Sequence, residues 1–226
     1  YISNEHFGKE ISIRKLADIM LNLQISGADN IELVTPTHFV PQIIKALDIV
    51  KSKLNIPVIY NTGGYECIET IKMLDGYIDI YMPDLKYFSS ETSQKYSKAS
   101  DYFKYASQAV NAMTEQAGVL RYNNGKLLKG TIIRHLVLPG QRHDSMKILD
   151  WICDNLDADK YIVSLMNQYT PFDFIPENCS ELRRKVTKME YNSVVSYAEK
   201  LGIKGYTQEA SSADNSYVPD FDLIGL

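Results

Sequence analysis

A chain of 226 residues with 45% apolar content can bury a sizeable core as one large domain or barrel, and it is too rich in apolar residues to be disordered. Its net charge of −4 gives no reason to expect nucleic acid or a membrane surface as partner, and no apolar run reaches the roughly 18 residues that span a bilayer. Cys67, Cys153 and Cys179 are far apart and form neither a metal motif nor an even disulfide framework, so they read as reduced thiols of a cytoplasmic protein. The first residue is Tyr1 rather than Met, so the chain reads as a fragment with an incomplete N-terminus and unreadable targeting.

The predicted elements alternate between helix and strand. Residues 12–27 form a helix capped by Ser12, with Ile13, Leu16, Ile19, Met20 and Leu23 on one stripe and Gly27 as the stop. Residues 30–36 are a buried strand. Thr37 then caps a helix running to Leu54, with Val40, Ile43, Ile44, Leu47 and Val50 inward and Pro41 in the first turn. Strand 57–61 precedes a short helix, 66–75, closed by Gly76. Strand 78–86 follows, then a mostly helical region, 89–118, and a turn at Asn123-Asn124-Gly125. Strand 131–138 ends at Pro139-Gly140, Asp144 caps a helix to Leu156, and 161–168 is a strand. Residues 170–180, with two prolines, read as a loop. Thr187 and Glu190 make a capping box for a helix that Gly202 closes, and 204–209 is a last short strand. The expected domain division is a core over 1–209 and a surface tail over 210–226. Such alternation implies parallel pairing with right-handed crossovers. Without a glycine-rich dinucleotide loop, it favours a barrel or partial barrel over a Rossmann sheet.

The polar residues gather where the strands end. Asp84 and Lys86 are two apart on an extended segment, so they point to the same side as an opposite-charge pair. They suit a catalytic or ligand-holding role, or a structural ion pair closing the strand. Lys86 as a Schiff-base amine is a further option, disfavoured because the adjacent carboxylate supports the ammonium form. Asn61-Thr62-Gly63-Gly64 offers polar atoms and bare backbone for close ligand approach, or an ordinary turn. Thr35-Pro36-Thr37-His38 lies where a strand meets a helix N-terminus, which favours an anionic group, unless Thr37 is only a cap. His38 lacks a second ligand at metal spacing, so no protein-only metal site is expected. Arg134 and His135 alternate faces, so only one of them faces a barrel interior, and an inward Arg134 needs an anion. Asn167 and Gln168 end the last strong strand, where amides suit an adenine, a substrate or plain loop hydrogen bonds.

In this order, the segments Thr-Pro-Thr-His (35–38), Asn-Thr-Gly-Gly-Tyr (61–65), Pro-Asp-Leu-Lys (83–86), Arg-His-Leu-Val-Leu-Pro-Gly (134–140) and Met-Asn-Gln-Tyr (166–169) resemble radical S-adenosylmethionine (radical SAM) proteins over nearly the whole chain. The particular likeness is to the group related to pyruvate formate-lyase activating enzyme. The resemblance implies a partial (β/α)6 TIM-like barrel that lacks its first strand and cluster loop. It also implies a [4Fe-4S] cluster, S-adenosylmethionine, and oxidoreductase chemistry in which reductive cleavage of the cofactor gives a 5′-deoxyadenosyl radical for hydrogen abstraction. Carried over by position, Thr35, Pro36 and Thr37 line the methionine moiety, where activating enzymes carry Gly-Gly-Glu. Asn61 stands where they have Asp, with Gly63 beside it. Asp84 and Lys86 match their Asp-Leu-Lys, Arg134 an Arg of their corresponding strand, and Gln168 a His beside the adenosyl group. An electron donor such as flavodoxin or ferredoxin is implied, along with a protein or small-molecule substrate; a glycyl radical enzyme is one candidate. The implied Cys-x3-Cys-x2-Cys motif is absent, and the three cysteines present lack its spacing. The fragment is therefore expected to be inactive by itself. The remaining alternatives are a cofactor-free barrel lyase using Lys86 and a non-catalytic partner-binding barrel.

Overall fold

The computed structural model describes residues 8–172 and 174–207. The expectation for the tail 210–226 falls outside them. Among the described residues, seven α-helices and seven strands follow in the order α1 Ile13–Ile25, β1 Ile31–Val34, α2 Val40–Val50, β2 Val58–Thr62, α3 Ile68–Met73, β3 Ile80–Pro83, α4 Ser90–Ser97, α5 Tyr102–Ala117, β4 Arg121–Asn123, β5 Lys126–Leu136, α6 Arg142–Asn155, β6 Tyr161–Met166, α7 Lys188–Lys200 and β7 Gly205–Thr207.

Six strands pair in chain order, β1-β2-β3-β5-β6-β7, all parallel, and β4 folds back antiparallel on β5. Every crossover steps the same way along the sheet. Right-handed connections then place all the helices on one side. The sheet is an open arc, with helices outside and its other face concave, and the expected partial TIM-like barrel is what forms.

Alternation along each strand sends one set of side chains outward to the helices. Tyr60 and Tyr81 pack with Met20, Leu47, Val50, Ile71 and Met113. Ile133, Val163 and Leu165 pack with Val110, Ile148, Leu149, Ile152 and Val194. A fully buried side chain of this kind contributes about 1.5–3 kcal/mol, so these two clusters hold the arc together and leave the concave face for other work.

Local signals account for several boundaries. The Ser12 hydroxyl accepts from Lys15 N–H, and Ser89 caps α4 in the same way. At α7 both halves of the Thr187–Glu190 capping box form. Other expectations change. Thr37 caps no helix. A 3₁₀ turn spans Thr37–Phe39, and α2 begins at Val40, because the Thr37 hydroxyl is taken by Glu66. Asp144 lies within α6, and its carboxylate accepts from the N–H groups of Phe88 and Ser89 instead. The Asn123-Asn124-Gly125 turn proves to be a hairpin. Asn124 and Gly125 both adopt positive φ (49° and 79°), which extends β5 back to Lys126. The 170–180 loop gives way to a 3₁₀ segment at Glu177–Arg183.

Candidate functional site on the concave face

Strand β1 and the C-terminal ends of β2, β3 and β5 carry a connected row of polar side chains. Alternation puts Glu32, Asn61, Asp84 and Arg134 on the concave face, opposite the outward Tyr60, Leu85 and Ile133. The register sets Asp84 beside Arg134 on adjacent strands. Arg134 Nη2 lies 2.7 Å from Asp84 Oδ1 and, reaching over the end of β3, donates to Asn61 Oδ1 at 2.6 Å. The other side of the Asn61 amide donates to Glu32 Oε1, also at 2.6 Å. Lys86 Nζ lies 3.2 Å from Asp84 Oδ2. The row Glu32–Asn61–Arg134–Asp84–Lys86 therefore balances two carboxylates against two cations.

Burial grades along the row. Asn61 is 9% exposed. The side chains of Asp84 and Arg134 are 17% and 23% exposed, whereas Lys86 keeps 41%. Arg134 Nε is buried without a hydrogen-bond partner among the described residues. Lys86 thus presents its ammonium group to the open cleft, while Asp84 and Arg134 hold each other beneath it. The anion that an inward Arg134 requires is supplied by the protein itself.

The loops around the row are pinned from behind. Lys86 N–H donates to the Tyr102 hydroxyl at 3.1 Å, and that oxygen lies 3.0 Å from Asp84 O and 3.1 Å from Gly63 O. Burial pushes the Tyr102 phenol well above its ordinary value, so it stays protonated and able to donate. Gly64 has φ +80°, and a Cβ there would meet Asp84 O at 2.0 Å, so only glycine allows the β2 loop to lie this close to β3. Gly63 lies on the cleft side, where a Cβ would come within 3.5 Å of Lys86 Nζ.

His135 takes the opposite face and is 2% exposed. Its Nδ1 faces Leu85 O at 2.7 Å and donates to it, and its Nε2 faces the Ser145 hydroxyl at 2.8 Å. Burial pushes its pKa below the usual value, against the opposing pull of the Leu85 carbonyl, Asp144 and Asp84. It is a neutral packing and positioning group, not a member of the cleft.

The structure thus brings Asn61, Gly63, Asp84, Lys86 and Arg134 together. Thr35 and Pro36 form the adjacent turn with Thr37, where Thr35 is exposed, Pro36 is buried and Thr35 N–H donates to Asn61 O at 2.8 Å. Gln168 follows β6 and is half-buried. Glu32 and Glu66 were missed in sequence. Glu32 lies in a strand whose inward face is not evident from four residues, and Glu66 lies past the glycines of a loop.

No described helix is long and apolar enough to cross a membrane. Among the described residues, no group of three His, Cys, Asp or Glu side chains is placed to hold a metal ion. Cys67 is exposed before α3, Cys153 lies on α6 and Cys179 is buried in the 3₁₀ segment. These residues do not fit as ligands of an iron–sulfur cluster, which needs closely grouped thiolates.

Comparison with known proteins agrees with this architecture. A domain of pyruvate-formate lyase-activating enzyme from Bacteroides vulgatus superposes with a TM-score of 0.57 at 11% identity, over 80% of this chain and 98% of that one. Streptococcus suis SuiB bound to S-adenosylmethionine gives 0.58 at 14% identity, over 90% of this chain and 43% of that one. A radical SAM methyltransferase from Sphaerobacter thermophilus gives 0.58 at 9% identity, over 87% and 56%. The chain therefore has the partial-barrel fold of radical SAM enzymes. No family model matches it. In sequence it is 29% identical over 194 residues to an uncharacterized protein of Methanocaldococcus jannaschii, across 84% of this chain and 50% of that protein. The chain thus spans about half the length of the curated relative it matches.

Proposed function

We propose that this chain is the S-adenosylmethionine-binding core of a radical SAM enzyme. The observation that carries the reading is the charge-balanced row on the open concave face of this particular fold. A zwitterionic amino-acid group, such as the methionine part of the cofactor, is met best by a site that presents both signs on fixed elements. Lys86 offers its ammonium to a carboxylate or ribose oxygen, while Asp84 and Arg134 keep it aimed. The Thr35-Pro36-Thr37 turn and Asn61 wall the methionine side, Gly63 leaves room beside Lys86, and Gln168 serves the adenosyl side.

The bound cluster would supply the electron for reductive cleavage of the cofactor to the 5′-deoxyadenosyl radical. Its cysteine ligands would come from outside the described residues, in keeping with the greater length of the matched relative. The substrate is assigned to the 170–186 region, where Phe172 and Phe174 are 76% and 84% exposed beside Pro171, Ile175 and Arg183. A glycyl radical enzyme as target, and flavodoxin or ferredoxin as electron donor, belong to the same reading. A Schiff-base lyase is less well supported, because Asp84 beside Lys86 favours the protonated amine, a poor nucleophile.

The test uses the whole protein containing this chain, reconstituted anaerobically with iron and sulfide. The expected result is cluster absorbance together with 5′-deoxyadenosine and methionine formed under dithionite. Failure of both overturns the reading. Borohydride trapping of small carbonyl compounds at Lys86 would favour the lyase instead.

A further inference from the structure

Glu66 is 4% exposed, yet it lies in a loop beside a cleft. One carboxyl oxygen, Oε1, accepts from the Thr37 hydroxyl at 2.6 Å, from the Thr62 hydroxyl, and from Tyr60 OH at 3.4 Å. The other, Oε2, is buried with no hydrogen-bond partner among the described residues. Hiding a carboxyl group this completely with half its acceptor capacity unused costs stability, so a purely structural account would expect an apolar side chain here.

What the carboxyl holds is unusual in its own right. Thr35 has φ +50°, a conformation that a β-branched residue adopts only under constraint. The turn is tied at both ends to β2 and its following loop. Thr35 N–H donates to Asn61 O on one side, and Thr37 reaches Glu66 on the other. Asn61 belongs to the charged row, so the strained turn is locked to the same strand end that aligns Arg134.

We propose that Glu66 is a positioning residue that clamps the Thr35-Pro36-Thr37 turn in its strained form over the cleft, so that the turn is preorganised for its ligand. In its ligand-binding part this rests on the cofactor reading above; in its conformational part it does not. Glu66 touches no ligand. It acts through Thr37 and through the Thr62 hydroxyl at the end of β2. A turn already in its binding shape spares the ligand the cost of ordering it.

The test compares Glu66→Ala, Thr37→Val and Glu66→Gln in the whole protein, with two readouts. The first is amide hydrogen exchange of the 35–39 segment without ligand. Exchange is expected to rise at least tenfold in Glu66→Ala and Thr37→Val and to stay near wild type in Glu66→Gln, whose amide keeps an oxygen for the three hydroxyls. The second is S-adenosylmethionine affinity by calorimetry, expected to weaken about tenfold in the first two variants, equivalent to about 1.4 kcal/mol, and to be rescued in the third. Unchanged exchange at 35–39 in Thr37→Val overturns the clamp, as does Glu66→Gln failing as badly as Glu66→Ala. If Glu66→Ala does not fold, Thr37→Val alone decides, since it removes the tether and leaves the carboxyl in place. If the wild type binds no S-adenosylmethionine, the cofactor reading falls, and the exchange experiment still decides the clamp.

Discussion

Arg134 and Asp84 meet at 2.7 Å across β5 and β3, and the same guanidinium nitrogen also reaches Asn61 on β2 at 2.6 Å. One side chain therefore joins three strand ends on the concave face. It also accounts for an amide at position 61. Asn61 accepts from Arg134 and donates to Glu32 at once, which a carboxylate cannot do.

Asn61→Asp is expected to set two carboxylates against each other at the Glu32 contact while strengthening the Arg134 contact. Their effects partly cancel, leaving a net destabilisation of about 0–2 kcal/mol. Asn61→Asp/Glu32→Gln should recover most of the loss. Urea denaturation of the four proteins in the cycle measures this coupling, and a strictly additive result would refute it.

Arg134→Met removes one partner of a largely buried pair and leaves Asp84 with Lys86 alone. A destabilisation of about 2–4 kcal/mol is expected. Asp84→Ala leaves both cations without their carboxylate, so its loss of stability should be at least that of Arg134→Met, and by the proposed function cofactor cleavage should fall further than stability does. Melting curves and deoxyadenosine release, measured on the same preparations, separate the two effects. Equal proportional losses of stability and activity would make Asp84 merely structural.

Gly64→Ala places a methyl group 2.0 Å from Asp84 O at a residue with φ +80°. Because the obstacle is backbone, relief requires β3 and the β2 loop to separate. A loss above about 2 kcal/mol is expected from strain and positive φ together. Gly76→Ala, at a similar φ of +78° with open space around it, is the control and should cost only about 1 kcal/mol.

Tyr102→Phe deletes the hydroxyl that receives Lys86 N–H and lies against Asp84 O and Gly63 O. An unpaired, part-buried N–H should cost about 1–3 kcal/mol. Faster exchange of the Lys86 amide would locate that loss, and unaltered exchange there would argue against it.

His135 supplies a pH dependence. Its folded-state pKa lies below the ordinary 6.5, chiefly because burial disfavours the charged ring. Below 6.5 the unfolded chain binds the proton more readily than the folded one. The stability that His135 contributes is therefore complete above pH 6.5 and is lost as pH falls through the folded-state value. Denaturation midpoints of the wild type should drop as pH falls below about 6.5, and His135→Gln should flatten that limb. An identical slope in the variant would assign the dependence to other groups.

The alternation of strands and helices was legible along the chain because it depends on local signals. Apolar periodicity, the Ser12 cap, the Thr187–Glu190 box and the glycine stops each act within a few residues. From them follow the parallel order and the open-arc fold. The Asp84–Lys86 pair was legible for the same reason, since two residues apart on an extended segment share a side. The partners of Thr37 and Asp144 were not legible: the local rule makes each a helix cap, but the fold supplies a competing acceptor or donor 29 and 55–56 residues away. Which of Arg134 and His135 faces the cleft was likewise undetermined, because alternation fixes only that they differ. Strand register decided it by setting Arg134 beside Asp84 and turning His135 toward Leu85 O and Ser145. Short-range stereochemistry thus determined the elements and their order. Only the pairing of residues far apart in sequence determined which charges meet, because that depends on how whole strands align rather than on any residue's own preference.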